Sequence, residues 1–413
     1  MIVKARFVVP VDAPPIENGA IQFEGGTIVA VGRAAEFPSQ GAVDYGDAAI
    51  LPGFVNAHTH LELSLLADRV PPSSDFVDWL HRLIAARTSD VQSNLSDVGD
   101  YVGRAVQTGI DQSLSAGVTT IGDITSYPIY SRPVLAASPL RAVSFGEVIA
   151  MGKGRDLLEG RLNAATEERD ATHRVHVGIS PHAHYTVEPG ALRTCARQAS
   201  DRALPLCVHV AETREEETFV RQGEGPFVTF LQELGLWDES IASSNCSPVE
   251  LLAKIGLLGP RTLLAHANYV SDSDIALIAE SGASVAYCPG THAAFGHPPH
   301  RFRDMLRAGV NVCLGTDSLA SNPSLSILDE LRFLRAGFHD LSPDELLWMA
   351  TLRGAKALGL SQLFGSLTPG KSADFVAMEL PPTAKSWHGI FDYAPRILAL
   401  YIAGAPQSRC DSS

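Results

Sequence analysis

The sequence predicts an α/β chain built on a (β/α)8 TIM barrel, with a small β-sandwich domain assembled from its two ends. Three observations lead there. From Pro52 to about residue 364, short apolar runs alternate with longer helical stretches, the pattern of repeated βα units around a parallel sheet. Eight such runs occur, the number that closes a barrel of this type. Outside that alternation, both ends of the chain carry further β-like runs.

Taken in order, IVKARFVVP, AIQFEGGTIVAVG and AVDYGDAAIL are short strand-like runs broken by Asn18-Gly19 and Gly25-Gly26. The barrel strands are expected at 54–60, 118–124, 141–149, 175–182, 204–212, 262–268, 284–289 and 311–317. The longest interruption between them, 67–100, holds Phe76, Trp79 and Leu80, and reads equally as a helical lid or as a helix packed on the barrel. Ser324 is expected to cap the helix after Pro323. GSLTPGKSADFVAM and RILALYIAG return to strand character, and LALYIAG is too apolar to be left solvated. Residues 1–51 and 365–413 are therefore expected to form one β domain beside a barrel of residues 52–364.

Composition narrows the function classes. The 413 residues are 45% hydrophobic and 19% charged, ordinary for a globular protein, with a net charge of −14. An acidic chain without a Lys/Arg cluster has no basic face for phosphates, which argues against nucleic acid as a partner. No apolar run is long enough to span a bilayer, and MIVKARFVVP lacks the parts of a signal peptide. Cys195, Cys207, Cys246, Cys288, Cys313 and Cys410 include no C-x-x-C pair, which disfavours a thiolate zinc site and suits a reducing compartment. A cytoplasmic protein without a membrane partner is expected. Whether it forms a homo-oligomer is left open.

Ligand-type side chains stand where the apolar strands end. His58 and His60 close the first strand, two residues apart and so on one face. His209 and Glu212 end the fifth strand, His266 the sixth and Asp317 the eighth. Barrel enzymes place their chemistry at the C-terminal ends of the strands, so these distant residues are expected to converge. Three imidazoles and a carboxylate suit Zn²⁺ or Fe²⁺. A buried Asp317 without a cation would be costly, and a metal supplies one.

The run Leu51-Pro52-Gly53-Phe54-Val55-Asn56-Ala57-His58-Thr59-His60 resembles the first-strand signature of the amidohydrolase superfamily. His209-Val210-Ala211-Glu212-Thr213, Leu264-Ala265-His266 and Leu314-Gly315-Thr316-Asp317-Ser318 are similar to its later motifs, in the same order. The resemblance runs from about residue 1 to 404 and is nearest the branch of metal-dependent deaminases and triazine chlorohydrolases. It implies one divalent metal, zinc before iron or manganese, on His58, His60, His209 and Asp317. The fourth strand has no Lys of the kind that bridges two metals in relatives. It also implies Glu212 and His266 as the proton-handling pair, with His266 and Asp317 orienting an activated water. The expected reaction replaces an exocyclic amino group by hydroxyl and releases ammonia.

For the substrate, Ser180-Pro181-His182-Ala183-His184-Tyr185 resembles a Ser-Pro-His-x-Pro-Tyr motif of nucleoside deaminases, which makes His182 a contact residue, with His184 in place of Pro. Cys288-Pro289-Gly290-Thr291-His292 through His297 is similar to a loop of aminofutalosine-deaminase-like proteins, with Gly290 where those often carry Arg. Glu147, at the end of the third strand, His292 and Trp79 complete the candidate substrate residues. The expected partner is a small heterocyclic amine, an aminopurine nucleoside of the aminofutalosine, S-adenosylhomocysteine or methylthioadenosine type. Two alternatives stand beside it: a chlorohydrolase or cyclic-amide hydrolase using the same site, and a metal-binding or ligand-binding protein without turnover. The acidic run Glu215-Glu216-Glu217 reads as a solvated helix start.

Overall fold

The computed structural model describes residues 1–94, 97–168, 172–392 and 395–407. Eight parallel strands succeed one another in chain order: β1 (Phe54–Thr59), β2 (Val118–Thr125), β3 (Arg141–Val148) and β4 (Val175–Pro181), then β5 (Leu206–Val210), β6 (Thr262–His266), β7 (Ser284–Tyr287) and β8 (Asn311–Leu314). The ring closes where β8 returns to β1. Thr59 bridges Asp317, and the amides of Thr316 and Asp317 both donate to the His58 carbonyl at 3.1 Å. This is the expected (β/α)8 barrel.

The strands are apolar on both faces because both are covered. Inside the ring, Val55, Ala57, Ile124, Val143, Phe145, Cys207, Leu263, Ala265, Ala286 and Cys313 form one buried cluster. Gly178 on β4 makes room for Phe145, since a Cβ there would lie 2.5 Å from the ring. On the outer face, residues such as Ile121, Ile179, Val208, Leu264 and Val312 pack against helix residues including Val106, Leu192, Ile278 and Leu331.

The two ends of the chain meet in one mixed sheet. Its pivot is the strand Ala48–Pro52, which pairs parallel with Ile2–Val8 and antiparallel with Phe375–Glu379. Ile16–Glu24 and Thr27–Arg33 extend one side, Ile397–Ile402 and Ala405–Pro406 the other. The sheet folds over, so that Thr27 bridges Ser372 and Val3, Ile21, Phe23, Ile50, Phe375 and Tyr401 share a core. Arg141, at the start of β3, ties this sheet to the barrel through Asp374, with Nε donating at 2.5 Å.

The stretch after β1 forms the helices Phe76–Ser93 and Val98–Ser115, capped by Asp75 and Asp97. Residues 95 and 96 lie outside the described residues. The first helix turns Phe76, Val77, Trp79, Leu80 and Leu83 inward, and the Phe76 and Trp79 rings meet Phe295 at 5.4 and 4.9 Å. It is thus packed on the barrel and roofs the barrel mouth as well. The expected cap at Ser324 is corrected: the helix is Ile327–Gly337, and Ser326 caps it. The Ser324 hydroxyl instead accepts from the Ser326 amide at 3.0 Å, which holds that segment in a turn and delays the helix. Cys195, Cys207, Cys246, Cys288 and Cys313 are buried free thiols, while Cys410 falls outside the described residues. Among the described residues no helix is long and apolar enough to cross a membrane.

Candidate active site

Short loops at the C-terminal ends of the strands bring the predicted ligand residues to one point. His58 Nε2 and His60 Nε2 lie 3.6 and 3.5 Å from Asp317 Oδ1, and His60 Nε2 lies 3.2 Å from His209 Nε2. Donor atoms of His58, His60 and His209 fall within 4.8 Å of one another, as do those of His58, His266 and Asp317. Tetrahedral zinc with bonds of about 2.0–2.1 Å needs donors about 3.3 Å apart. The observed separations fit that spacing.

Two further observations favour a cation there. His58 is fully buried, yet its Nε2 has no hydrogen-bond partner, an orphaned donor atom aimed among its fellow ligands. His209 engages its other nitrogen, Nδ1, with the His182 carbonyl at 2.9 Å, which leaves Nε2 for a metal. Burial is the first cause holding His58, His60 and His266 well below the ordinary imidazole range, and neighbouring histidines add to it. Neutral imidazoles are the form that ligates.

Asp317 is held from several sides. The Thr59 hydroxyl donates to its carbonyl at 2.8 Å, and the Ser321 hydroxyl donates to its Oδ2 at 2.5 Å, leaving Oδ1 toward the histidines. Asp317 and His266 both have left-handed backbones, with φ of 57° and 71°. Such conformations cost non-glycine residues of the order of 1–3 kcal/mol and cluster where a site demands them. His300 Nε2, 2.8 Å from the His266 carbonyl, secures that bend.

Beside the ligand cluster, His266 Nε2 is 3.4 Å from Glu212 Oε1. Burial, then the Asp317 and Glu216 carboxylates, push the Glu212 carboxyl well above its usual range, the state of a group able to give up a proton. The pair forms the floor of a cavity whose walls include Phe76, Trp79, Leu80, Leu83, Phe230 and Leu236. Glu147, His182 and Arg87 supply a polar side. Burial alone would raise the Glu147 carboxyl, but His182, Arg87 and a hydrogen bond from the Ser126 hydroxyl outweigh it and hold it down at about 2. Arg141, at the other end of β3 from Glu147, is committed to Asp374.

Of the sequence candidates, His60, Trp79, Glu147, His182, His209, Glu212, His266 and Asp317 all line this cavity, and His58 lies beneath it. His292 does not. It sits on the helix Pro289–Ala294 with its ring packed on Tyr287, His297 and His300. Its ring is buried among these neighbours, which similarity of sequence alone could not register. The solvated reading of Glu215-Glu216-Glu217 is corrected at its centre: Glu216 is fully buried, its carboxylate accepting from His184 Nδ1 at 2.9 Å and the Glu212 amide at 2.8 Å. Sequence reasoning also missed Glu62 and Arg87. Arg87 Nη2 donates to Glu62 Oε1 at 2.5 Å, and Glu62 accepts as well from the Thr125 hydroxyl and the Ser126 amide. A lone acid in the apolar run Leu61–Leu66 was the available signal.

A closed barrel thus gathers at its C-terminal mouth histidines and an aspartate that could hold a metal ion. Residues 49–404 match the amidohydrolase family, and the chain belongs to it. It is a hydrolase of carbon–nitrogen bonds in a family that is typically metal-dependent. A 5-methylthioadenosine/S-adenosylhomocysteine deaminase of Moorella thermoacetica is 29% identical over 396 residues, spanning 92% of this chain and 86% of its own. The crystal structure of Helicobacter pylori aminofutalosine deaminase in complex with methylthio-coformycin superposes with a TM-score of 0.84 at 25% identity, covering 98% of this chain and 100% of that one. An adenosine deaminase from Xanthomonas campestris with bound zinc gives 0.81 at 25% identity, covering 98% and 92%.

Proposed function

We propose that this enzyme is a zinc-dependent deaminase of aminopurine nucleosides of the methylthioadenosine, S-adenosylhomocysteine or aminofutalosine type. The observation that carries the reading is the Glu212–His266 pair, 3.4 Å apart, set against the His58/His60/His209/Asp317 cluster on the floor of a largely apolar cavity. A binder without turnover has no use for that pair. One zinc on those four residues would supply a nucleophile from water near neutral pH.

The chain's own groups do the rest. Glu212, kept protonated by burial, gives its proton to a ring nitrogen, so that the adjacent amino-bearing carbon accepts the oxygen of water. Asp317 and His266 orient the water, and Asp317 accepts its proton. Glu212, now a carboxylate, takes the proton of the new hydroxyl and passes it to the departing amine; ammonia leaves as the ring carbonyl forms, and the proton held by Asp317 returns to Glu212. Glu147 would accept from ribose hydroxyls, and His182, its neighbour in the cavity wall, would touch the nucleoside beside it. Phe76, Trp79, Leu80 and Leu83 offer an apolar wall, suited to a thioether or other apolar substituent on the sugar. The names of the relatives support a purine nucleoside, and the methylthio group of the analogue bound by the Helicobacter pylori enzyme suits such a wall. Residues 1–51 and 365–413 are read as one domain supporting the barrel of 52–364.

The test is ammonia release by zinc-loaded protein against methylthioadenosine, S-adenosylhomocysteine, aminofutalosine, adenosine, cytosine and guanine. Turnover of a 5′-substituted aminopurine nucleoside is expected. No ammonia from any compound, with zinc bound, overturns the reading, and chloride release from a triazine would replace it.

A further inference from the structure

Behind the catalytic floor lies a further carboxylate, Glu216, that the reaction does not use. Glu216 is the third residue of the helix Arg214–Gln222, whose N-cap is Thr213. In that position an acid commonly reaches back to the amide of the N-cap residue. Glu216 reaches one residue further: its Oε2 accepts from the amide of Glu212 at 2.8 Å. Its other oxygen, Oε1, meets His184 Nδ1 at 2.9 Å, and both side chains are all but fully buried, at 1% and 0% exposure. The geometry is that of a carboxylate accepting from the His184 ring. His184 Nε2 is buried without a partner, so the contact with Glu216 is the polar anchor of this ring.

We propose that His184 and Glu216 are a positioning pair that fixes the backbone, and through it the carboxyl, of Glu212. The pair grips the Glu212 amide from one side, while Asn268 Nδ2 donates to the Glu212 carbonyl at 3.1 Å from the other. The residue before Glu212, Ala211, is left-handed with φ of 50°, so the chain turns sharply there and does not place Glu212 by strand geometry alone. The pair also joins the loop after β4, which carries His182, to the loop after β5, which carries Glu212. Two residues that face the substrate are therefore set relative to each other through a buried hydrogen-bonded link. A buried carboxylate with one partner removed is costly, so the pair acts as a unit. Neither residue touches the cavity, and neither is a catalytic residue.

This inference rests on Glu212 as the proton carrier, and its test separates the two ideas. Asparagine at 184 can present an amide donor near the place of Nδ1, whereas leucine cannot. In Glu216→Gln one acceptor oxygen becomes an amide donor, so the Glu212 amide and His184 Nδ1 no longer both face a carboxylate oxygen. Deuterium uptake at Glu212, read in a peptide covering 206–214, is expected to rise in His184→Leu and Glu216→Gln and to stay at the wild-type level in His184→Asn. In His184→Leu and Glu216→Gln kcat is expected to fall about tenfold, less than the ~10²-fold that a 1 Å misplacement of a reacting group can cost, with KM and bound zinc unchanged, while His184→Asn keeps the wild-type kcat. Combining His184→Leu with Glu212→Gln should add no further loss. Wild-type exchange and kcat in His184→Leu overturn the pair. So does a loss that His184→Asn fails to restore, or one that adds to Glu212→Gln. Should His184→Leu not fold, Glu216→Gln carries the same comparison. If the wild-type protein releases no ammonia, the deaminase reading fails, while exchange at Glu212 still decides the pair.

Discussion

Replacing Ser321 by alanine removes one oxygen and isolates the support of Asp317, a proposed metal ligand. The Ser321 hydroxyl donates to Asp317 Oδ2 at 2.5 Å, whereas its contacts with Ser318 and Thr291 are 3.2–3.4 Å. The short bond is the strong one, since its acceptor is a carboxylate. A hydrogen bond to a charged group contributes about 1.5–3 kcal/mol. At about 1.4 kcal/mol per factor of ten, its loss should weaken metal binding by about 10–100-fold, the range seen when support of a metal ligand is removed. The Asp317 backbone should stay in place, because its amide donates to the His58 carbonyl at 3.1 Å and its carbonyl accepts from the Thr59 hydroxyl at 2.8 Å. Competition with a coloured chelator gives the zinc affinity, and thermal melting of the apo protein reports any general loss of fold. Unchanged zinc affinity and unchanged kcat in Ser321→Ala would falsify the argument that this hydroxyl orients Asp317.

Three further outcomes are expected. Glu212→Gln should keep its zinc and lose about 10²–10⁴ in kcat, the scale of general acid–base catalysis, and near-full activity would remove Glu212 from the proton path. Trp79→Ala should raise KM for a 5′-substituted nucleoside more than it lowers kcat, because the ring walls the cavity and braces Phe295 at 4.9 Å; an unchanged KM in the folded variant retires that role. His292→Ala should leave KM unchanged, since its ring faces Tyr287, His297 and His300, and a marked rise would bring His292 back as a substrate residue.

The barrel was legible because each strand is a short apolar run between helices, and because a polar residue marks where each important strand ends. The pair His58 and His60 shows why this works. Spacing of two places both imidazoles on one side of an extended segment whatever surrounds it. His209, His266 and Asp317 were legible for a related reason, as the last residues of buried runs. His292 was not, since a histidine in a loop carries no period, and its direction depends on how Pro289–Ala294 turns against Tyr287. Glu216 was hidden inside an acidic run that would suit any solvated helix start, and only packing against His184 distinguishes it from its neighbours.

The sequence by itself determined the order of strands, the kinds of ligand and their place at the strand ends. These follow from local periodicity and from the rule that strand ends face the mouth of such a barrel. Tertiary structure decided the rest. It laid the helix Phe76–Ser93 across the mouth, set Arg87 against Glu62, and turned the Ser321 hydroxyl toward Asp317. Arg87 and Glu62 are 25 residues apart in the chain, and His184 and Glu216 are 32 apart. Such pairings are fixed by how whole elements pack, a balance of burial and hydrogen bonding over the entire molecule that no local pattern encodes.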